Sequence, residues 1–426
     1  MDSAIIALLI LAVIIILYIT DIIPIALTSI AGCIAMVLFG VIEFGEAFSG
    51  FSANVVFLVG GMMFVGNALF ETGGAQLIGD KIKSLGKSSE RRILIVIMLA
   101  CGILSAFLSN SATTAMFISV IFGMAGGDML FSRRLLMPLA FSANSGGMLT
   151  LIGSTPPIIV QGILTDAGYE PLGFFEFALI GLPIFIFVIL FMMTIGASQL
   201  SKTMQVKSEP VAEPSSVDSE LDNKDYGEKK ETSKMKLTFG ILGFCIILFA
   251  TEVIPSHLTS VIGAWLIMIT GCLKLKKAFK NFDWTTIFVL AGSLGIARGI
   301  ELSGAAELIA NQILNIGFAE QPIIIMGIFI AAGMIFTQIV SNTAATAMLA
   351  PIGLFLAQGM GVSPYPFLLG LCTLAAAGFA TPVATPPNTM VLLGGYSFTD
   401  YLRVGGLLNL LVLIITILLV PLIWPF

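Results

Sequence analysis

The sequence predicts an all-α polytopic membrane protein made of two repeats of inverted topology. Each repeat is expected to contain five transmembrane helices and one re-entrant helical hairpin. Three observations predict this fold: the composition, a polar motif that occurs twice within apolar sequence, and the distribution of Lys and Arg. Of the 426 residues, 57% are hydrophobic and only 11% are charged, whereas about 25% of a soluble domain is charged. Apolar runs of about 20 residues recur along the chain, which is the length that spans a bilayer as a helix.

The composition also excludes several classes of function. His257 is the only histidine, so a histidine-based catalytic triad or a histidine-rich metal site is not expected. The five cysteines lie in apolar segments without paired spacing and are interpreted as packing residues. No basic patch is interleaved with aromatic residues, so no nucleic-acid partner is expected. The N-terminal apolar run lacks a basic flank and a cleavage site, and we interpret it as a retained first helix.

Apolar segments are predicted along the whole chain, at 4–20, 22–41, 53–71, 92–127, 134–164, 174–199, 236–254, 258–273, 284–302, 321–360, 364–393 and 402–424. Two of them, 92–127 and 321–360, are too long for one span, and each is interrupted near its middle by Ser, Asn and Thr. Each is therefore predicted to be a helical hairpin that enters the membrane and returns. The segments 134–164 and 364–393 contain Pro pairs, which cannot continue a helix, and are predicted to be broken helices.

The interruptions are copies of one another. "SNSATTAM" (109–116) and "SNTAATAM" (341–348) match at six of eight positions with an offset of 232 residues. The breaks "GSTPP" (153–157) and "ATPPN" (384–388) follow at an offset of 231, and residues 51–79 align without gaps to 282–310 at that same offset. The common order and spacing predict an internal duplication.

Charge predicts the orientation of the two halves. Residues 200–235 contain eight acidic and six basic residues, and we interpret them as a disordered cytoplasmic linker between repeats 1–199 and 236–426. With this linker inside, 19 of the 20 basic residues face the cytoplasm, Arg298 being the exception. The second half is then inverted, both termini are outside, and the protein is a multi-pass protein of the cell (plasma) membrane. Inverted repeats with broken helices are typical of secondary transporters, whose binding site lies near the midplane of the bilayer.

The polar tips of the hairpins have the chemistry for two kinds of ligand. A tip joins the C-terminus of one helix, with free carbonyls suited to Na+, to the N-terminus of the next, with free N–H groups suited to an anion. The tips and breaks contain no charged residue, so an anionic substrate has to be balanced by bound cations and helix dipoles. Isolated Ser and Thr residues in membrane helices usually pack or bond to the preceding turn, but the duplication in register favours a site. The glycines Gly60, Gly61 and Gly292 are instead interpreted as helix-packing residues, and Arg298 is expected to pair with Glu301.

These doubled motifs resemble the paired signatures of the divalent anion/sodium symporter family, the INDY-type dicarboxylate transporters. The resemblance extends over both halves in order and implies a homodimer, with a scaffold part and a transport part that moves as an elevator. It also implies two Na+ ions as coupling ions beside one anion. By motif, the first sodium site uses Ser105, Ser109, Asn110 and the carbonyl of Gly153, and the second uses Thr337, Ser341, Asn342 and the carbonyl of Ala384. The substrate residues implied are Ser109, Asn110, Ser111, Ser154, Ser341, Asn342, Thr343, Thr385 and Pro386. Two positions depart from the family pattern: Ser111 replaces Thr, and Pro157 replaces Asn.

The leading functional hypothesis is a Na+-coupled symporter for a small C4-dicarboxylate such as succinate, malate or fumarate. A dicarboxylate exchanger, and a sulfate or citrate transporter of the same fold, remain as alternatives. A sodium/proton antiporter is disfavoured because its site requires a membrane carboxylate. An enzyme is disfavoured because the spans offer no nucleophile with a positioned base, and a channel is disfavoured by the inverted halves, which indicate alternating access.

Overall fold

The computed structural model describes residues 2–20, 22–74, 77, 89–126, 128–200, 232–280, 282–314 and 321–426. All regular structure within these ranges is helical. Most of the linker predicted at 200–235 lies outside the described residues. The flanking helical structure runs to Leu200 and resumes at Thr232, within the last four residues of the predicted linker.

The helices of the first half follow the predicted apolar segments. They are α1 (Ser3–Thr20), α2 (Ile25–Leu38), α3 (Phe44–Ala47), α4 (Asn54–Glu71), α5 (Glu90–Ser105), α6 (Asn110–Ala125), α7 (Met129–Gly146), α8 (Thr155–Asp166) and α9 (Ala178–Phe191). The second half continues with α10 (Thr232–Thr251), α11 (Ser256–Ile269), α12 (Leu275–Lys280), α13 (Trp284–Leu302), α14 (Ala305–Leu314), α15 (Pro322–Thr337), α16 (Asn342–Gly359), α17 (Tyr365–Ala376), α18 (Pro386–Met390) and α19 (Phe398–Ile423). Five described helical spans are long and apolar enough to cross a membrane.

The two long apolar segments each form a pair of helices joined by a short tip. The first hairpin is α5 and α6 with the tip at residues 106–109, and the second is α15 and α16 with the tip at 338–341. The two Pro-containing segments are interrupted as well, between α7 and α8 and between α17 and α18. Pro at the first positions of α8 and α18 explains where these helices begin, because Pro cannot donate to the preceding turn.

The two halves pack against each other through equivalent helices. Helix α2 packs on α13, and α11 packs on α4. A methyl group on Gly61 would lie 2.5 Å from the Ser260 carbonyl carbon, and one on Gly292 would lie 2.7 Å from Ser29 Cβ. The two contacts are equivalent, since Gly292 corresponds to Gly61 and Ser260 to Ser29 at the offset of 231, and the predicted packing role of Gly61 and Gly292 is confirmed.

The hairpins differ in their relation to the helices that pack around them. Helix α16 buries Ala344 and Met348 in an apolar cluster with α1, α2, α13 and α14. The corresponding residues of α6, Ala112 and Met116, line a cavity instead. The second hairpin is therefore closed against these helices, whereas the first faces open space.

Arg298, the one basic residue outside the predicted cytoplasmic set, lies near the C-terminal end of α13. Its guanidinium is 2.8 Å from Glu301 and 3.1 Å from Glu46. The predicted pairing with Glu301 is confirmed, and the ion pair neutralises this helix end.

Candidate functional site

A cavity of about 1150 Å³ lies between the two hairpin tips, the two helix breaks and the helices α4 and α13. Every residue assigned to the substrate from the sequence lines it. These residues are Ser109, Asn110, Ser111, Ser154, Ser341, Asn342, Thr343, Thr385 and Pro386. The structure thus brings together residues that are more than 230 positions apart in the chain.

Four helices begin at this cavity. The N-cap residues of α6, α8, α16 and α18 are Ser109, Ser154, Ser341 and Thr385, and all four line its wall. A helix N-terminus carries roughly half a positive charge from its free N–H groups. Three of these helices have 12 residues or more and α18 has five, so the wall carries well over one positive charge equivalent in total. That field favours an anion in the cavity.

The serines at the two tips are partly occupied by capping. Ser109 Oγ accepts a hydrogen bond from the Ala112 N–H at 3.2 Å, and Ser341 Oγ accepts one from the Ala344 N–H at 3.4 Å. Each hydroxyl keeps its proton for donation. These two serines therefore present donors to the cavity while they fix the first turn of α6 and α16.

The first predicted cation set converges on the side chain of Asn110. Its amide lies 2.6 Å from Ser105 Oγ, and the same amide atom lies 2.8 Å from the Gly153 carbonyl oxygen and 3.3 Å from the Ala143 carbonyl oxygen. When the amide nitrogen faces this group, it donates to these oxygens. When the amide oxygen faces them instead, four oxygens lie close together and share only the Ser105 hydroxyl proton. A cluster of oxygens with so few protons is favourable where it surrounds a cation. These residues fit Na+ in the second orientation.

In the second predicted cation set, Asn342 has the clearest unmet hydrogen-bonding group. The Oδ1 atom of Asn342 is buried and has no hydrogen-bond donor, although it lies close to the break that contains Ala384. Thr337 and Ala384 are buried behind the cavity wall, and the Thr337 hydroxyl donates to the Met334 carbonyl at 2.9 Å. A buried amide oxygen without a donor is costly unless a ligand satisfies it, so the Asn342 oxygen also fits a cation.

Two glycines that sequence reasoning missed allow these approaches. A methyl group on Gly147 would lie 2.5 Å from Asn110 Oδ1. One on Gly378, at the offset of 231, would lie 2.8 Å from Ala384 Cβ and 3.2 Å from Asn342 Oδ1. The signal was in the alignment of the two breaks, where Gly147 and Gly378 correspond.

Charged side chains are confined to one end of the cavity. Among the described residues that line it, the ionisable ones are Glu71, Lys280 and Asp283. All three are exposed, at the ends of α4 and α12 and at the start of α13. The polar tips are therefore neutral, and the charge at the opening can attract ions without pairing with them at the tips.

Comparisons with known proteins agree with this architecture. The sequence profile of the citrate transporter (CitMHS) family matches residues 12–361. A sodium-dependent dicarboxylate transporter, SdcS, of Staphylococcus saprophyticus is 27% identical over 96% of this chain and 84% of its own. The uncharacterised transporter YfbS of Escherichia coli is 22% identical, over 98% of each chain.

A solved structure shares the fold. The YdaH transporter of Alcanivorax borkumensis, described as having an unusual topology, superposes with a TM-score of 0.63 over 88% of this chain and 86% of its own, at 14% identity. The sequence profile covers most of the chain, and the relatives and the solved structure are membrane transporters rather than enzymes. The resemblance of the doubled motifs to sodium-coupled anion transporters is thereby confirmed, and the chain belongs to the citrate transporter family of multi-pass membrane transporters.

Proposed function

We propose that this protein is a secondary active transporter that moves a small divalent carboxylate together with Na+. The observation that carries the proposal is the cavity between two uncharged, polar hairpin tips, at whose wall four helices begin. A dianion in a low-dielectric site needs compensating positive charge. The described lining offers no cationic side chain near the tips, so bound Na+ is the natural source of that charge.

Two sodium sites are proposed, one at each tip. The oxygens around Asn110 and the donor-free oxygen of Asn342 support them. Coupling to H+ is less well supported, because a proton site requires an ionisable group and the described lining has none near the tips. The name of the SdcS relatives also favours sodium.

A C4-dicarboxylate such as succinate, malate or fumarate is the proposed substrate class. The SdcS relatives support a dicarboxylate, whereas the family name favours citrate as the second candidate. Exchange of one dicarboxylate for another, and transport of sulfate, are the remaining alternatives.

The proposed cycle is an elevator movement between two inverted repeats, residues 1–199 and 236–426, in a homodimer. The opening lies at the Lys280 end of the cavity, and from the distribution of Lys and Arg we infer that this end faces the cytoplasm. In the opposite state the repeats exchange roles: Met116 packs against Met62 of α4, as Met348 now lies beside Ser293 of α13. A Met62→Cys/Met116→Cys pair should crosslink only in the outward-open state, and a Ser293→Cys/Met348→Cys pair only in the state described here. Crosslinking of both pairs in a single locked state would contradict the exchange.

Uptake of radiolabelled succinate into proteoliposomes tests the proposed function. We expect uptake with an inward Na+ gradient, little uptake in choline or potassium, and competition by unlabelled malate and fumarate. An Asn110→Ala/Asn342→Ala double variant, reconstituted at the same density, is the matched control. Competition by citrate or sulfate but not by dicarboxylates would contradict the proposed substrate class and favour the competing anion instead. Succinate uptake that is driven by outflow of a dicarboxylate loaded inside the vesicles, and that does not respond to Na+, would support the exchanger.

A further inference from the structure

A buried asparagine outside the repeated motifs contacts the candidate site from behind. Asn144, in α7, is fully buried and does not line the cavity. Its Nδ2 donates to Thr385 Oγ1 at 3.0 Å and to Asn388 Oδ1 at 3.1 Å. The side chain therefore connects the first broken helix to the second break.

The direction of these hydrogen bonds is fixed by Asn388. Its Nδ2 donates to the carbonyls of Gly378 and Thr381, at 2.6 Å and 2.8 Å, both within the break between α17 and α18. Because both N–H groups of Asn388 are engaged, its Oδ1 must act as the acceptor. Asn144 must then present its nitrogen to Asn388 and Thr385.

This arrangement determines what the Thr385 hydroxyl can do. Its oxygen accepts one hydrogen bond from Asn144 Nδ2 and another from the Asn388 N–H at 3.4 Å. A hydroxyl has two acceptor positions and one proton, so the proton of Thr385 is what remains for a further partner. Since Thr385 lines the cavity, that proton is available to a ligand there.

The equivalent residue in the first half lacks both donors. Ser154 corresponds to Thr385 at the offset of 231, and at the same offset Pro157 corresponds to Asn388 and Ala375 to Asn144. Pro157 has no N–H, and Ala375 has no amide. Ser154 lines the cavity, and its Oγ is buried without any hydrogen-bond partner, so neither its donor nor its acceptor role is used within the protein.

We propose that Asn144 is a positioning residue that holds the Thr385 hydroxyl as a dedicated hydrogen-bond donor to a substrate carboxylate. The inference rests on the proposed function, because it requires an anion in the cavity. Ser154, at the other break, keeps both hydrogen-bonding roles. The two ends of the site therefore differ: the Thr385 end selects for an acceptor, and the Ser154 end tolerates a hydroxyl as well as a carboxylate.

The test is a double-mutant cycle of Asn144→Leu and Thr385→Val, read as the KM for succinate at saturating Na+. A hydrogen bond to a charged group is strong enough that we expect about a tenfold to hundredfold rise in KM for each single variant. The double variant should show no further rise, because Thr385→Val removes the donated proton and Asn144→Leu lets that proton turn to Asn388 Oδ1, which has lost its donor. Thr385→Ser keeps the hydroxyl and should stay within a few-fold of the wild type. The Na+-induced thermal shift measured without substrate should be retained in all four variants.

Two further variants distinguish a loss of Thr385 positioning from a loss of folding. Gln161 is a buried amide that bonds the backbone of Leu172 away from the cavity, so Gln161→Leu should lower thermal stability without a rise in KM. Asn144→Asp provides a second route if Asn144→Leu does not fold. Its carboxylate only accepts, so the Thr385 proton should turn to it, and KM should rise at least as much.

The inference is overturned if Asn144→Leu, or the substituting Asn144→Asp, leaves KM unchanged, or if its effect adds fully to that of Thr385→Val. Failure of the proposed function gives a different result. In that case the wild type itself would show no Na+-dependent binding of succinate or citrate.

Discussion

Replacement of Gly147 by alanine is expected to damage the first sodium site while leaving the fold intact. Gly147 caps α7 with φ −63° and ψ −11°, a conformation that alanine adopts freely. The added methyl group would lie 2.5 Å from Asn110 Oδ1, 2.8 Å from its Nδ2 and 3.0 Å from its Cγ. Ordinary contacts between such atoms are about 3.5 Å, so the amide has to move by about 1 Å. The atoms in the way belong to the end of a side chain at the cavity wall, which can yield without a shift of the backbone.

A displacement of this size is large for a binding site. Ligand groups need to be held within about 0.5 Å of their working positions, and a misplacement of about 1 Å can cost a factor of about 100. We expect the Na+ concentration for half-maximal succinate uptake to rise about tenfold or more. Gly378→Ala, at the equivalent position, should disturb the second break instead, because its added methyl group would lie 2.8 Å from Ala384 Cβ and 3.0 Å from Thr385 Cγ2.

The assay is the Na+ dependence of uptake at a fixed succinate concentration, together with thermal unfolding in detergent. Gly240→Ala is the matched control, because a methyl group there would meet no atom within 4 Å. It should leave the Na+ dependence unchanged. Wild-type Na+ dependence and succinate KM in Gly147→Ala would refute the assignment of Asn110 to a cation.

Three further predictions concern the same site and its orientation. Asn110→Ala and Asn342→Ala should each abolish uptake without loss of folding, because each amide is assigned to a cation and to the anion; normal transport by either would contradict the assignment. Calorimetric titration should show that succinate affinity rises with Na+ and that Na+ affinity rises with succinate, by linkage; a succinate affinity independent of Na+ would instead favour the exchanger. Single cysteines within 200–235 should be labelled from the cytoplasm, and cysteines at the two termini should be labelled from outside; an external linker would contradict the inverted arrangement.

The helices and their interruptions could be predicted because bilayer chemistry leaves few choices. A backbone in hydrocarbon must be helical unless it lines a cavity or is buried in protein, so polar or Pro-containing interruptions of apolar sequence point to the tips and breaks. Boundaries were less accurate. Residues 232–235 were assigned to the linker from their polarity, but α10 already begins at Thr232. The inverted topology, the elevator movement and the homodimer stay predictions.

Side-chain geometry was only partly accessible from the sequence. The duplication indicated which residues meet at the tips, since two copies of one motif in inverted halves converge near the midplane. It did not reveal Gly147 and Gly378, whose contribution is the space they leave, because glycines in membrane helices are common and usually serve packing. It did not reveal the Ala143 carbonyl either, because any residue type supplies a carbonyl.

Asn144 could not be found by comparing the two halves, because it has no polar counterpart. A duplication points to what the repeats share, whereas a substrate with two unlike ends, such as malate, is distinguished by what they do not share. In the second half, Asn388 supplies a backbone N–H and an amide oxygen, and Asn144 supplies a second donor to Thr385. In the first half, Pro157 removes the N–H and Ser154 Oγ is left without a partner. The same departure that weakens the resemblance at Pro157 therefore makes the two breaks chemically different, and a nearly symmetric pair of hairpins can bind an asymmetric anion in one orientation.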